Sequence, residues 1–218
     1  MSTKSEKDLI TLVEKQKNNR NRYNIYVNDR YVLSVHEDIL VKHRLLKGEE
    51  INETKIKQVV EDEEKQIIQR QAIRIISRRG KSRFELKQKL SEKGYEETLI
   101  DHTLDHLEKR KFIDDYSYAL NLANYRMKHQ KKGLKWIEQE LSQKGIKKVI
   151  ITQVIQELDK ELEFEVAYQL AKKRWDNQSG DYTKKKSKIS SFLMRRGFEY
   201  SLIRNILEKI EKEETNEW

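Results

Sequence analysis

The chain has 218 residues, of which 38% are charged and 36% hydrophobic, with seven glycines, no proline and no cysteine. The lack of cysteine excludes disulfides and thiolate metal sites, and so few turn residues argue against a sandwich or barrel and favour helices. The net charge of +9 favours nucleic acid, an anionic membrane or an acidic protein as partner without choosing among them. The opening residues, MSTKSEKD, lack the apolar core of a signal peptide, and no run approaches a membrane span, so we expect a cytoplasmic protein without membrane contact.

The first 50 residues are predicted to form a small domain of their own. Alternating apolar residues predict a β-hairpin around a three-residue loop, Asn28-Asp29-Arg30. Residues 9–13 could add a third strand, and a short helix from about Glu37 to Leu46 should stop at Gly48. A folded cap or dimerisation piece and a partner-docking module are equally good interpretations. The alternating apolar residues that should share one face of the hairpin are Tyr23, Ile25, Val27, Tyr31, Leu33 and Val35.

Asn52 is a plausible N-cap for helical material that continues to about Arg79. The acidic run Glu61–Glu64 is a candidate boundary inside it. Beyond this point the chain repeats itself.

Three glycines, Gly94, Gly145 and Gly197, anchor an internal repeat with spacings of 51 and 52 residues. Each glycine has an apolar residue four positions earlier and another one position later, the pattern of a helix that ends in a Schellman stop. The apolar stripe of a following helix also coincides in all three copies. The apolar residues four positions before the glycines are Leu90, Leu141 and Leu193, and those one position after them are Tyr95, Ile146 and Phe198.

A further helix precedes each of these helix pairs. In the middle copy it starts near Asp114-Asp115 and carries Tyr118 and Ala119; the aspartates fit helix capping far better than catalysis. The fold class is therefore mainly α: three tandem three-helix modules in an elongated curved array, with a small N-terminal β-hairpin and helix domain. The expected domains are residues 1–50, 51–111, 112–160 and 161–218.

A basic cluster precedes the second helix of each module: Arg70 to Arg83 in the first, Arg126 to Lys135 in the second and Lys184 to Lys188 in the third. Because the modules repeat, we expect these clusters and the unpaired N–H groups of the helix N-termini to form one phosphate-attracting strip. No base-reading code is visible, and Glu96-Glu97 would repel phosphate at a recognition position. Trp136 and Tyr182 could stack on bases, although such aromatics more often belong to a core.

Enzyme signals are weak. His102 and His106 lie four residues apart on one helix and could face a metal, but no third ligand is evident and a solvated polar face is the better interpretation. No phosphate-binding glycine loop is present. We expect no catalysis, no metal and no cofactor.

Several motifs resemble the RecX family, bacterial modulators of the RecA recombinase. They are KFIDDYSYA at 111–119, KKG at 131–133, KGI at 144–146 and RRGF at 195–198, together with Trp136-Ile137 and Glu140-Leu141. The hairpin followed by VKHRLLKGEE resembles longer members from Gram-positive bacteria. The resemblance implies a negative regulator, in DNA repair, recombination and the SOS response, that binds in the groove of the RecA–single-stranded-DNA filament and inhibits ATP hydrolysis and strand exchange.

The partners expected from this resemblance are the RecA filament and single-stranded DNA, with double-stranded DNA as an alternative, bound by a monomer. The competing hypotheses are an autonomous nucleic-acid-binding protein and an enzyme that uses the His102/His106 face. The structural signature comprises Asp114, Asp115, Tyr118, Ala119, Gly94, Gly145 and Gly197. The predicted contacts are Arg78, Arg79, Lys81, Lys131, Lys132, Lys135, Lys185, Lys186, Arg195 and Arg196.

Overall fold

The computed structural model describes residues 8–178 and 180–216. It contains three strands, β1 to β3, and ten helices, α1 to α10, within these ranges. Two compact units divide the chain: an N-terminal unit, Met1–Arg74 with Leu90–Leu107, and a C-terminal unit, Ile75–Lys89 with Glu108–Trp218. The elements are β1 Ile10–Lys15, β2 Arg22–Val27, β3 Arg30–His36, α1 Glu37–Lys42, α2 Glu53–Arg78, α3 Arg83–Ser91, α4 Glu97–Lys109, α5 Asp115–Lys128, α6 Leu134–Gln143, α7 Lys148–Glu157, α8 Lys160–Asp176, α9 Tyr182–Arg195 and α10 Tyr200–Asn216.

The N-terminal unit opens with an antiparallel sheet in the order β1-β2-β3, which confirms the hairpin and adds the third strand. The predicted three-residue loop is wrong. Val27 pairs with Arg30, so the turn has two residues, Asn28 and Asp29, both at positive φ (47° and 63°). This is the type I′ geometry that matches strand twist, and Asn and Asp tolerate it better than most side chains.

A β-bulge between Ile25 and Tyr26 shifts the register of the hairpin. Ile25 pairs with Leu33 on the buried face, whereas Tyr31 pairs with Tyr26 and lies edge-on against its ring at 5.9 Å. Tyr31 is therefore 57% exposed, contrary to the strict alternation that placed it with the core residues. The core of this region consists of Ile10, Ile25, Val27, Val35, Ile39, Leu45, Ile51 and Val59.

The helices of the N-terminal unit differ from the sequence prediction at two points. Helix α1 ends at Lys42, earlier than expected, because Arg44 already has a positive φ of 50°. The acidic run Glu61–Glu64 marks no boundary, since α2 passes through it without a break. Glu63 is buried instead and accepts hydrogen bonds from Arg22 at 2.7 Å and from the backbone N–H of His36 at 2.7 Å. The predicted N-cap of α2 is confirmed, because Asn52 Oδ1 accepts from the N–H of Lys55 at 2.8 Å.

The helices downstream form three three-helix modules, which confirms the mainly helical fold class. Module 1 is α2–α4, module 2 is α5–α7 and module 3 is α8–α10. Modules 2 and 3 lie in the C-terminal unit and have separate cores. Small residues on the first helix, Ala119 and Ala123 in α5 and Ala167 and Ala171 in α8, are fully buried and let the other two helices approach closely.

The Schellman stops are confirmed at the second helices of modules 2 and 3. Gly145 has φ 71°, and the N–H of Ile146 donates to the carbonyl of Leu141 at 3.1 Å. Gly197 has φ 86°, and the N–H of Phe198 donates to the carbonyl of Leu193 at 3.2 Å. Gly94 has the same left-handed conformation, with φ 83°.

One helix start was predicted wrongly in module 3. Helix α9 begins at Tyr182, with the Asp181 side chain accepting from the N–H of Lys184, so Lys184 to Lys188 lie within the helix and not before it. By the repeat spacing, the residue equivalent to the first residue of α6, Leu134, is Lys186, and α9 therefore carries an additional turn. In the described part of the chain, no helix is long and apolar enough to cross a membrane.

Candidate nucleic-acid interface

Positive charge is concentrated in the C-terminal unit. By sequence, this unit holds 30 basic and 19 acidic residues, whereas the N-terminal unit holds 16 basic and 18 acidic ones. All ten predicted contact residues fall within the C-terminal unit. This distribution favours the C-terminal unit for contact with phosphate.

The second helices of successive modules meet end to end in this unit. At the first joint, the C-terminal cap of α6 abuts the start of α3, where Ser82 Oγ donates to the carbonyl of Lys144 at 2.6 Å. A Cβ on Gly145 would fall on the side chain of Phe84. Glycine is needed at this position both for its positive φ and for the close approach.

The second joint repeats this arrangement one module later. The N–H of Gly133 donates to the carbonyl of Arg196 at 2.9 Å, and the N–H of Lys135 donates to the carbonyl of Gly197 at 3.0 Å. A Cβ on Gly133 would lie 2.5 Å from the backbone of Gly197, and one on Gly197 would fall on the backbone of Trp136. The C-terminus of α9 is thus docked on the N-terminus of α6.

A carboxylate from the next module completes each joint. Asp115 of α5 accepts from the N–H of Arg83 at 2.8 Å, and Glu163 of α8 accepts from the N–H of Leu134 at 3.0 Å. Burial raises the pKa of both carboxyl groups, and the backbone N–H bond offsets part of that rise. Each carboxylate is therefore an N-cap that one module provides for the second helix of its neighbour.

These contacts overturn one element of the predicted strip. We expected unpaired N–H groups at the helix N-termini to attract phosphate, but the first N–H groups of α3 and α6 donate to protein acceptors. In α3, Ser82 and Glu85 also form a capping box, with N–H to side-chain oxygen distances of 3.2 and 3.1 Å. Phosphate attraction must therefore come from side chains.

The signature residues of module 2 are structural. Asp114 caps α5 by accepting from the N–H of Ser117 at 3.0 Å, and Tyr118 donates to Glu85 at 2.9 Å. Lys144 also reaches Glu85, at 2.9 Å. Burial raises the pKa of Glu85, but the hydrogen bonds from Lys144 and Tyr118 outweigh it and lower the pKa to about 2. The chain repeat did not reveal Glu85, because module 2 has Trp136 where module 1 has Glu85; Glu163 aligns with Asp115 when the first helices of modules 2 and 3 are superposed in sequence.

The two joints differ in net charge. Lys144 and Arg196 occupy equivalent cap positions, but Lys144 is neutralised by Glu85. The Arg196 guanidinium donates to two backbone carbonyls, those of Gln130 at 3.0 Å and Lys131 at 3.2 Å. Within the described ranges, no carboxylate lies in ion-pair range of Lys131, Lys132 or Arg196. The second joint therefore keeps an uncompensated positive charge.

Trp136 forms the apolar support of this cluster. Lys132 Nζ lies 4.1 Å from the centre of its indole ring and the Arg126 guanidinium 5.6 Å from it, within cation–π range. Burial, with the neighbouring charges of Arg196 and Arg126, lowers the pKa of Lys132. Arg126 is itself paired with Glu140 at 2.7 Å, so it adds little net charge. Trp136 is half-buried under these cations and belongs to the joint.

Within the described ranges, no side-chain contact brings the remaining predicted contacts into this cluster. Arg78 and Arg79 are exposed at and just after the end of α2, and Lys81 pairs with Glu85 at 3.3 Å. Lys135 pairs with Glu199 at 3.3 Å. We call the residues of the second joint the joint cluster: Lys131, Lys132, Arg195 and Arg196.

Lys185 and Lys186 lie on α9, away from the helix end that carries Arg195 and Arg196. Lys185 Nζ is 5.6 Å from the ring of Trp175, and Lys186 pairs with Glu211 at 3.5 Å. Tyr182 is 37% exposed and lies edge-on against Trp175.

The two histidines weighed as metal ligands line a groove of about 420 Å³ within the N-terminal unit. Both His102 and His106 are exposed on α4, and the buried Thr103 hydroxyl between them has no hydrogen-bond partner among the described residues. No group of three or more His, Asp or Glu side chains in the described ranges is arranged to hold a metal ion.

Family models match the chain in four consecutive segments. They are the regulatory protein RecX N-terminal domain over residues 8–52, and the first, second and third three-helix domains of RecX over residues 70–107, 114–155 and 161–207. The order of the matches agrees with the sheet and the three modules described above.

Whole proteins match over nearly the same length. Regulatory protein RecX of Clostridioides difficile (strain 630) is 36% identical over 203 residues, covering 93% of this chain and 95% of the relative. Regulatory protein RecX of Bacillus cytotoxicus (strain DSM 22905 / CIP 110041 / 391-98 / NVH 391-98) is 32% identical, with 94% and 78% covered. A crystal structure of regulatory protein RecX has a TM-score of 0.80 at 27% identity, with 92% of this chain and 99% of that one covered. A crystal structure of RecX from Lactobacillus salivarius has a TM-score of 0.65 at 27% identity, with 68% and 97% covered.

Fold and site together define a tandem three-helix repeat protein whose second inter-module joint is cationic. The matches identify the family within that class. The chain belongs to the RecX family of regulatory proteins.

Proposed function

We propose that this protein is a negative regulator of the RecA recombinase. It binds the RecA–single-stranded-DNA filament in its helical groove and inhibits ATP hydrolysis, filament extension and strand exchange, and so modulates recombination and DNA repair. The names of its relatives support the regulatory role. The structural observation that carries the nucleic-acid part is the joint cluster, whose cations have no carboxylate partner among the described residues.

The joint cluster is suited to a phosphate backbone for two reasons. The loop that carries Lys131 and Lys132 is tied to the end of α9, because the Arg196 guanidinium donates to the carbonyls of Gln130 and Lys131, so this loop loses little freedom on binding. The charge of the cluster is uncompensated, so each phosphate that it neutralises releases counterions; for single strands the slope of log K against log salt changes by about 0.7 per phosphate. Arg195 provides an exposed charge and Lys131 a half-buried one, and Arg196 holds the loop in place.

In the proposed function, the other predicted contact residues also bind the filament or its DNA, outside the joint cluster. Arg78, Arg79 and Lys81 belong to the approach to α3, and Lys185 and Lys186 to α9. Lys81, Lys135 and Lys186 already pair with carboxylates, so we expect them to contribute less than Lys131 and Lys132.

The test is inhibition of single-stranded-DNA-dependent ATP hydrolysis by the recombinase of the same organism. The proposal predicts that the protein suppresses hydrolysis at substoichiometric amounts, because a filament is a cooperative assembly that one bound molecule can interrupt. Unchanged hydrolysis with equimolar protein would refute it.

An autonomous nucleic-acid-binding protein without a recombinase partner is the second candidate, and the uncompensated joint cluster is the observation that favours it. This alternative predicts tight, salt-sensitive binding to DNA or RNA alone and no effect on the recombinase beyond competition for DNA. The two candidates separate when inhibition is measured with single-stranded DNA in large excess, because excess DNA abolishes competition but leaves filament binding in place.

A further inference from the structure

Three carboxylates near the end of α10, those of Glu211, Glu213 and Glu214, contact the other two helices of module 3, α8 and α9. Glu213 accepts from the Tyr168 hydroxyl at 2.6 Å and lies 3.5 Å from Lys172 Nζ. Glu214 accepts from the indole N–H of Trp175. The helix end is thus fixed to α8 by two aromatic donors and one ammonium group.

Glu211 makes the equivalent contacts with α9. It lies 3.5 Å from Lys186 Nζ and accepts a hydrogen bond from the Tyr182 hydroxyl. Burial and this hydrogen bond raise the pKa of Tyr182 to about 12, and the same bond lowers the pKa of Glu211. Two lysines that would otherwise be free to contact phosphate, Lys172 and Lys186, are therefore paired with the end of α10.

The carboxylates of Glu211 and Glu213 each contact one lysine and one tyrosine, Lys186 with Tyr182 and Lys172 with Tyr168. Lys186 Nζ lies 5.6 Å from the centre of the Tyr182 ring. Lysines that track a backbone, with aromatic rings on which bases stack, are the combination by which proteins hold single-stranded nucleic acid. We call the module 3 face the four residues that these carboxylates contact, Tyr168, Lys172, Tyr182 and Lys186, together with Lys185, whose Nζ lies 5.6 Å from the centre of the Trp175 ring.

We propose that the module 3 face is a second binding site for single-stranded nucleic acid and that the acidic end of α10 occupies it as an intramolecular competitor of the phosphate backbone. The carboxylates of Glu211 and Glu213 take the places of two phosphates beside Lys186 and Lys172. The inference deepens the proposed function, on which its biological meaning rests, by naming a further contact surface and what masks it.

The competitor can be displaced because its ion pairs are weak. The side chains of Lys172 and Glu213 are about a third exposed and those of Lys186 and Glu211 are 38% and 43% exposed, and ion pairs in such positions contribute little to stability. A nucleic-acid strand presents many phosphates at once and can exchange two of them for two carboxylates. The face is therefore closed in the free protein and opens at high local concentrations of phosphate.

The experiment uses the full chain and a fluorescein-labelled oligothymidylate, without recombinase. The test variant is Glu211→Gln, Glu213→Gln and Glu214→Gln, in which the amide oxygens still accept from the aromatic donors, so the fold is kept and only the charge is lost. Because Lys172 and Lys186 become available, affinity should rise severalfold, and the slope of log K against log salt should steepen by about 1.4, that is about 0.7 for each additional phosphate.

The matched control removes three other exposed carboxylates of the C-terminal unit, Glu138→Gln, Glu161→Gln and Glu165→Gln. It changes the net charge equally but frees neither lysine, so its slope should stay that of the unchanged protein. Equal slopes for the two variants would overturn the inference, as would a test variant that does not bind the oligonucleotide at low salt. Neither result depends on inhibition of ATP hydrolysis, which tests the proposed function separately.

Discussion

Replacing Gly197 by alanine is expected to destabilise the protein considerably more than replacing Gly94. Both glycines end the second helix of their module with a left-handed backbone, at φ 86° and 83°. Alanine at either position costs about 1–2 kcal/mol for that conformation. At Gly94 a new Cβ meets no atom of the described residues within 4 Å, whereas at Gly197 it falls on the backbone of Trp136 across the second joint.

The difference between the two variants isolates the joint. Overpacking of this kind adds about 1–3 kcal/mol, so the free energy of unfolding should fall by about 2–5 kcal/mol for Gly197→Ala and about 1–2 kcal/mol for Gly94→Ala. A third variant, Gly133→Ala, tests the close approach without the cost of a left-handed backbone, because Gly133 has φ −81°. Its new Cβ would lie 2.5 Å from the backbone of Gly197. Urea denaturation followed by far-ultraviolet circular dichroism measures all three. Equal losses for Gly197→Ala and Gly94→Ala would refute the close approach of α9 to α6.

Two further predictions concern the carboxylates of the joints. Lys144 and Tyr118 lower the pKa of Glu85 to about 2, so its contribution to stability is complete above its ordinary pKa near 4.5 and is lost as the pH falls toward 2. In Glu85→Gln, the urea midpoint of unfolding should therefore decline less over this pH range than in the unchanged protein. An unchanged decline would contradict the assignment. Burial raises the pKa of Glu163, so its ionisation opposes folding as the pH rises above its ordinary value. Glu163→Gln, which keeps an acceptor for the N–H of Leu134, should consequently gain stability relative to the unchanged protein between pH 4 and pH 7, and a constant difference would count against the buried cap.

Much of the fold follows from local sequence signals. The repeated glycines predicted the helix ends because a left-handed C-cap depends on residues within one turn, and Asn52 and Asp114 identified helix starts for the same reason. Tyr31 was misplaced because a bulge shifts register without leaving a mark in the alternation. The start of α9 was missed because the basic residues Lys184 to Lys188 resembled a loop, although Asp181 is an N-cap.

The candidate site was only partly predictable. The basic positions could be read from the sequence, but which of them are neutralised depends on partners far away in the chain, such as Glu85 for Lys144 and Glu199 for Lys135. The caps that Asp115 and Glu163 provide for α3 and α6 join residues about 30 positions apart, and no local pattern reports such a contact. Arg196 lies beside Lys131 although the two are 65 positions apart in the chain, and only the second joint brings them together.

The central claim is that the joint cluster carries inhibition of the recombinase filament. ATP hydrolysis by the filament, titrated with a variant bearing Lys131→Glu, Lys132→Glu and Arg195→Glu, tests it most directly. The control variant is Lys109→Glu, Lys148→Glu and Lys173→Glu, which changes the net charge equally at exposed positions outside the joint cluster that are not charge neighbours of Asp115 or Glu163. We predict that the joint variant loses inhibition at physiological salt while the control inhibits as the unchanged protein does; full inhibition by a folded joint variant would contradict the claim.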